Sequence, residues 1–229
     1  MQKCSVVRST LAAAALALLA GAAQADVFGG VEFPQGVASF ADGVQSYLPP
    51  VPGPSAPHLG ASNSLGAPNY AGVNSCASTA TCSFVSLGDG GALIVEFVDN
   101  RLTGSGTSAF DLWIFEVGPD IEDTFVAVSK DGITYINVGK VFGSTAGIDL
   151  DSFGFGTSDQ FRFVRLIDDG AEGDQSGATV GADIDAVGAI SSIRASVPEP
   201  ETWAMFALGA LAIAAHRRRA PAAAAKRAG

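Results

Sequence analysis

The chain has 229 residues, 28 of them glycine and 11 proline, and its formal net charge is −10. Between Asp26 and Pro198 the imbalance is larger, because six basic residues face 21 acidic ones and leave a net charge of −15. So negative a segment repels phosphate backbones, which excludes nucleic acid as the expected partner. Short Val, Ile and Phe runs between glycines and prolines indicate an all-β chain with frequent turns.

Residues 1–25 have the pattern of a secretory signal peptide. Lys3 and Arg8 precede an apolar run of Ala and Leu, and Ala23-Gln24-Ala25 places small residues before Asp26. We therefore expect an N-terminal signal helix, cleavage before Asp26, and export through the inner membrane.

Residues 26–59 form a lead segment rich in Pro and Gly. Its run from Pro49 to Pro54 cannot continue a helix or a central strand. We expect extended loop or edge structure here, leading into the main domain.

Cys76 and Cys82 are the two cysteines that remain after removal of the signal. An even pair in an exported chain, within a loop of small residues, predicts a disulfide.

From residue 60 to residue 195 strand patterns follow one another at short intervals. Examples are Ala92–Val98, Asp111–Val117 and Phe161–Ile167, while Lys130-Asp131-Gly132 has the composition of a hairpin turn. With seven or eight such strands and no helical period, the sequence predicts a β-sandwich.

The order of these segments resembles the discoidin-type, galactose-binding-like jelly roll of bacterial surface proteins. The resemblance rests on Leu65-Gly66-Ala67-Pro68, Ser86-Leu87-Gly88, the Asp111–Glu116 strand, Val128–Gly132, Phe163–Leu166 and Gly181–Val187. It implies a jelly-roll fold, often with a structural calcium ion, that binds glycans or other surfaces.

Six polar residues at strand ends are the candidate ligands for Ca²⁺, which prefers carboxylate, carbonyl and amide oxygens. Asp183 and Asp185 lie two apart on an extended chain, so we expect both to point to one face. The alternative for these carboxylates is simple exposure to water. The candidates are Asp99, Asn100, Asp111, Glu116, Asp183 and Asp185.

Catalysis has little support in the sequence. His58 is the single histidine between the targeting segments, and neither a Gly-x-Ser-x-Gly elbow nor an HExxH motif occurs. We expect no enzyme activity. Trp113 is expected in the core, and Tyr47, Tyr70 and Tyr135 are candidates to stack on a sugar ring.

Residues 196–229 have the layout of a sorting signal. An apolar stretch from Trp203 to Ala215 follows Pro198-Glu199-Pro200 and ends at Arg217, Arg218 and Arg219. At about 13 residues it is shorter than the ~20 that usually span a bilayer, so it predicts a short transmembrane helix with its basic end in the cytoplasm.

This tail resembles the PEP-CTERM sorting signal. The resemblance implies processing by an exosortase near Pro198-Glu199-Pro200, transient membrane anchoring, and a destination at the cell surface or in the extracellular matrix. We therefore expect a surface protein that binds extracellular polysaccharide. The alternatives are a hydrolase acting on matrix polysaccharide and a purely structural matrix component.

Overall fold

A computed structural model describes residues 25–72, 76–117, 122–173, 176–195, 208–211 and 213. The chain divides into one compact unit of Met1–Arg194 and a second of Ala195–Gly229. The predicted signal peptide and the sorting residues Pro198, Glu199, Pro200 and Arg217 to Arg219 lie outside the described residues.

The first unit contains thirteen strands within its described part. They are β1 (Asp26–Phe28), β2 (Val31–Phe33), β3 (Gly43–Leu48), β4 (Val85–Ser86), β5 (Ala92–Glu96), β6 (Asn100–Leu102), β7 (Leu112–Glu116), β8 (Asp123–Ser129), β9 (Ile136–Phe142), β10 (Thr145–Ile148), β11 (Phe163–Asp168), β12 (Asp183–Ala189) and β13 (Ser192–Arg194). Short 3₁₀ helices lie at Gly36–Ser39, Ala56–His58, Ala61–Ser64, Thr79–Thr81 and Asp151–Phe153.

Two antiparallel sheets form a sandwich. One has the strand order β10-β7-β12-β4 and the other has the order β3-β5-β11-β8-β9. The chain passes from one sheet to the other repeatedly, for example from β7 to β8 and from β11 to β12, as in a jelly roll. The predicted all-β sandwich is confirmed. The pairs β1–β2 and β6–β13 form separate two-stranded ribbons.

The core lies between the two sheets and follows from strand alternation. In β5 Leu93 and Val95 are fully buried, and in β11 Val164 and Leu166 are fully buried, while the residues between them on each strand point to the opposite face. This inward apolar set joins residues of the four-stranded sheet, including Ile114 and Val187, in one cluster. Burial of the alternating face is what selects the strand register.

All residues of β12 are buried because both faces of this strand are covered. One face meets the sandwich core, and the other meets Phe33, Phe40 and Phe115. Gly188 permits this packing, since a Cβ there would lie 2.6 Å from the Phe33 ring and 2.8 Å from the Phe40 ring.

Residues 26–59 form part of the sandwich and do not merely lead into it. β3 is the edge strand of the five-stranded sheet, paired with β5, and Phe33 and Phe40 are buried. The structure therefore places the start of the sandwich earlier than residue 60. A bulge between Val44 and Ser46 breaks the alternation of β3, which explains why the sequence shows no clear strand there.

Within the described residues, no helix is both long and apolar enough to cross a membrane. In the second unit the described residues are 195, 208–211 and 213, and of these 208–211 and 213 are helical. The rest of the predicted transmembrane helix lies outside the described part of the chain.

Candidate functional site

The six predicted calcium ligands do not form one site. Asp99 is exposed, whereas the Asn100 amide is buried and donates to the Ala38 carbonyl oxygen at 3.0 Å. Asp185 accepts hydrogen bonds from the backbone N–H groups of Asn69 and Tyr70 at 3.1 Å. Its carboxylate therefore holds a loop against β12, and a bulge between Ile184 and Ala186 interrupts the register at this position.

Glu116 and Asp183 belong to a group of buried carboxylates at one end of the four-stranded sheet. We call Glu116, Glu122, Asp168 and Asp183 the Glu116 cluster; all four are at most 8% exposed. β12 runs antiparallel to β7, with Ile184 opposite Glu116, and this pairing brings the start of β12 to the end of β7. The cluster is thus a product of strand pairing between distant segments.

The members of the Glu116 cluster differ in the hydrogen bonds that their carboxylate oxygens accept. Asp168 accepts from the N–H groups of Gly90 at 2.9 Å and Ala182 at 2.8 Å, and Asp183 accepts from the Ser86 hydroxyl. Glu116 Oε1 is buried and accepts no hydrogen bond from the described residues.

Burial, together with the negative charges of Glu122 and Asp183, raises the pKa of Glu116 to about 9. Burial also raises the pKa of Asp183 to about 8, against the opposing effect of its hydrogen bond from Ser86. These carboxyl groups are therefore protonated near neutral pH when no cation is bound. The predicted roles of Glu116 and Asp183 as calcium ligands remain predictions.

Asp111 lies at the opposite end of the same sheet, just before β7. Its carboxylate meets those of Asp149 and Asp151, and one oxygen from each of the three lies within 4.8 Å of the others. We call these residues the Asp111 cluster. The pairing of β7 with β10, in which Leu112 lies opposite Ile148, sets Asp111 beside the segment that follows β10.

The outer face of the five-stranded sheet carries a different kind of surface. Arg165 lies on the central strand β11, between Ile94 of β5 and Ala127 of β8. The guanidinium is 4.5 Å from the centre of the Tyr135 ring, a cation–π contact. The Tyr135 hydroxyl donates to Gln45 Oε1 at 2.9 Å, so Tyr135, Arg165 and Gln45 form one polar and aromatic group on this face, which we call the Arg165 face.

The hairpin turn that carries Tyr135 is fixed by Asp131. Its Oδ1 accepts from the N–H groups of Ile133 at 2.9 Å and Thr134 at 2.8 Å, which lowers the pKa of Asp131 to about 2. Gly132 has a φ of +74°, the left-handed conformation that the Asp-Gly sequence predicts.

Arg165 is distinguished from its basic neighbours by its lack of an ionic partner. Arg162 pairs with Glu96, and Lys140 pairs with Asp123 and Asp169. In the described ranges no carboxylate pairs with Arg165, and its Nε is buried without a hydrogen-bond acceptor. The Arg165 face therefore has a cation without an ionic partner in the described part of the chain.

The three candidate tyrosines have different environments. Tyr47 packs against the core and donates to the Ser86 carbonyl oxygen at 2.5 Å, and Tyr70 packs edge-on against Phe84. Tyr135 is the one that lies beside an unpaired cation. Trp113, expected in the core, is half-buried and packs against the group formed by Phe33, Phe40 and Phe115.

His58 is a packing residue in the structure. It is 5% exposed, its ring stacks on Phe84 at 5.5 Å, and Nδ1 lies 3.2 Å from the Ala178 carbonyl oxygen. Burial lowers the pKa of His58. Cys76 and Cys82 lie close by and are joined by a disulfide, so their sulfur atoms are not free thiolates.

Four clustered carboxylates were not among the predicted ligands. Asp149 and Asp151 flank the buried Leu150. Two aspartates on either side of one apolar residue were the available sequence signal for this cluster. Asp168 ends β11, is 2% exposed and accepts two backbone hydrogen bonds. Glu122 gives no local signal of burial.

Comparison with known proteins identifies the C-terminal segment. Residues 196–219 match the PEP-CTERM protein-sorting motif. The chain thus carries an exosortase sorting signal and is marked for export to the cell surface. The match covers the sorting segment alone, and none of the curated proteins matches the chain.

Two solved structures are similar to part of the chain. One is described as "CpGH89CBM32-6 produced by Clostridium perfringens", with 10% identity, a TM-score of 0.30, and coverage of 49% of this chain and 75% of that one. The other is the C-terminal domain of a chitobiase from Bacteroides fragilis, with 12% identity, a TM-score of 0.30, and coverage of 46% and 64%. The likeness is partial, and no function follows from it.

Proposed function

We propose that this surface protein is a non-enzymatic polysaccharide-binding protein of the extracellular matrix, and that the Arg165 face is its binding surface. The observation that carries the proposal is the Arg165–Tyr135 pair at 4.5 Å, in which the half-buried arginine has no ionic partner among the described residues. An aromatic ring stacks on the apolar face of a sugar, while a guanidinium donates hydrogen bonds to hydroxyl or carboxylate oxygens.

The position on the sheet also favours an extended ligand. Arg165 is on the middle strand of five, and the residues on both sides of it across the sheet are the uncharged Ile94 and Ala127. A polymer could therefore lie along this face without meeting a carboxylate next to the guanidinium. The non-enzymatic assignment is supported by the packing role of His58.

Binding to a panel of neutral and acidic bacterial polysaccharides tests this proposal. Arg165→Ala should weaken binding at least tenfold, about 1.4 kcal/mol, and Arg165→Lys should restore little of it, since lysine lacks the planar fork. Tyr135→Ala should weaken binding as well. Arg194→Ala, which removes an exposed arginine from β13, is the matched control and should bind as the parent does.

Other results would favour the alternatives. Equal binding by Arg165→Ala and the parent would show that the Arg165 face is not the binding surface. No binding to any polysaccharide would favour a structural matrix component. Release of reducing ends from a polysaccharide, lost on substitution of a single carboxylate, would show a hydrolase.

We further propose that the sorting signal anchors the chain only transiently before exosortase processing. Replacing Pro198, Glu199 and Pro200 by alanine should leave the unprocessed chain in the membrane fraction, because the processing enzyme would lack its motif. Pro221→Ala, beyond the matched segment, is the control and should be processed normally. Unchanged size and location of the triple variant on fractionation and immunoblotting would contradict the assignment.

A further inference from the structure

The Asp111 cluster brings three negatively charged carboxylates together without a basic side chain to pair with them in the described part of the chain. The three carboxylates have oxygens within 4.8 Å of one another, and within the described part of the chain no lysine or arginine forms an ion pair with them. At such distances carboxylates repel one another strongly unless a proton or a cation lies between them.

Asp111 gives a second and independent indication of a bound cation. This residue is 0% exposed, and its Oδ2 accepts from the Leu150 N–H at 2.8 Å. Its Oδ1 is buried and accepts no hydrogen bond of normal geometry from the described residues. Burial raises the pKa of Asp111, and the Ser191 and Ser105 side chains only partly oppose this rise. A buried carboxylate oxygen without a donor is costly, and a cation is one group that satisfies it.

The other two carboxylates are held in place and remain partly accessible. Asp151 accepts from the N–H groups of Ser105 at 2.9 Å and Gly106 at 3.0 Å, which joins it to the loop before β7. Asp149 accepts from the Ser152 N–H at 3.3 Å. Both residues are half-buried, so solvent and a hydrated ion can reach the cluster.

We propose that Asp111, Asp149 and Asp151 form a Ca²⁺-binding site at this end of the four-stranded sheet. The three side chains supply only hard oxygen ligands, which suit Ca²⁺ and offer neither the nitrogen nor the sulfur that zinc and copper prefer. Flexible oxygen ligands from two segments also fit Ca²⁺ better than Mg²⁺, which requires a smaller and near-octahedral shell.

Bound Ca²⁺ would tie the start of β7 to the segment after β10. Because Asp151 also holds the backbone of Ser105 and Gly106, the ion would order the loop before β7 as well. The site is independent of the Arg165 face, which lies on the other sheet.

Isothermal titration with CaCl₂ and thermal melts with and without EGTA test the site in the purified protein. At free calcium about 100-fold above Kd, the thermal midpoint should rise by roughly 5 °C or more over its value in EGTA. MgCl₂ should give a smaller rise. No heat of binding and no shift with calcium would overturn the proposal.

Asp111→Asn should abolish the calcium shift, and in EGTA its midpoint should equal or exceed that of the parent, because a buried negative charge has been removed. Asp149→Asn, at a half-buried position, tests the same site should Asp111→Asn fail to fold. Glu116→Gln is the matched control at the opposite end of the sheet and should keep the full shift. Loss of the shift in Glu116→Gln with retention in Asp149→Asn would place calcium in the Glu116 cluster and refute this site.

Discussion

Raising the pH from 6.5 to 8.5 in EGTA should destabilise the domain by roughly 3 kcal/mol, a fall of about 8 °C in the thermal midpoint. The cause is the Glu116 cluster. Folding raises the pKa of Glu116 to about 9 and that of Asp183 to about 8, through burial and mutual repulsion. Circular dichroism melts across this range measure the effect.

The sign follows from proton binding. In the unfolded chain both carboxyl groups lose their protons near pH 4, whereas in the folded domain they keep them to about pH 8 or 9. The folded state therefore binds more protons between these limits, and stability declines as the pH rises. His58, whose pKa burial lowers from 6.5, has a weak opposite effect that is confined to the lower part of this range.

Glu116→Gln should remove the Glu116 part of this pH dependence and leave the smaller part due to Asp183, since glutamine keeps the shape of the side chain without a titrating proton. Asp159→Asn is the matched control, because the pKa of Asp159 is lowered by its hydrogen bond from Lys130 and this group does not titrate in the tested range. A midpoint that rises or stays constant from pH 6.5 to 8.5 in the parent would contradict the assigned ionisation of the cluster.

Phe161→Ala should destabilise the domain by about 3–5 kcal/mol, the range for loss of a fully buried phenylalanine. Phe161 is 0% exposed, packs edge-on against Phe155 at 5.0 Å, and exchanges two backbone hydrogen bonds with Leu102. Truncation to alanine would leave a cavity beside the Phe155 ring. Urea unfolding measures the change in the free energy of unfolding.

Phe142→Ala is the control for this substitution. Phe142 ends β9 and is 68% exposed, so its truncation should change stability by no more than about 0.5 kcal/mol. Similar losses in the two variants would mean that Phe161 is not part of the packed core.

The sequence predicts those parts of the fold that depend on local pattern. β5 and β11 alternate clearly, and the Asp131-Gly132 turn has the residues that its backbone requires, so the sandwich could be predicted. β3 could not, because its bulge breaks the alternation and its partner strand begins 44 residues after Leu48 in the chain. The burial of Phe33 and Phe40 could not be predicted either, because it depends on their packing against Gly188, which is distant in the sequence.

The candidate sites depend on pairing between distant strands, which local pattern does not specify. Asp111 and Glu116 were recognised because they bracket a strand, yet they belong to different clusters at opposite ends of it. The partners of Asp111 become visible only when β10 is paired with β7 in the observed register. Arg162 and Arg165 look alike in the sequence, and only the structure shows that Arg162 pairs with Glu96 whereas Arg165 stacks on Tyr135.

The position of β12 has a consequence for folding. This strand is among the last parts of the sandwich along the chain, yet it lies inside the four-stranded sheet and also covers Phe33 and Phe40 near the beginning. The earlier strands cannot complete their packing until residue 189 is available to them. Folding of the sandwich can therefore be completed only when little of the chain other than the sorting segment 196–219 remains to be made available.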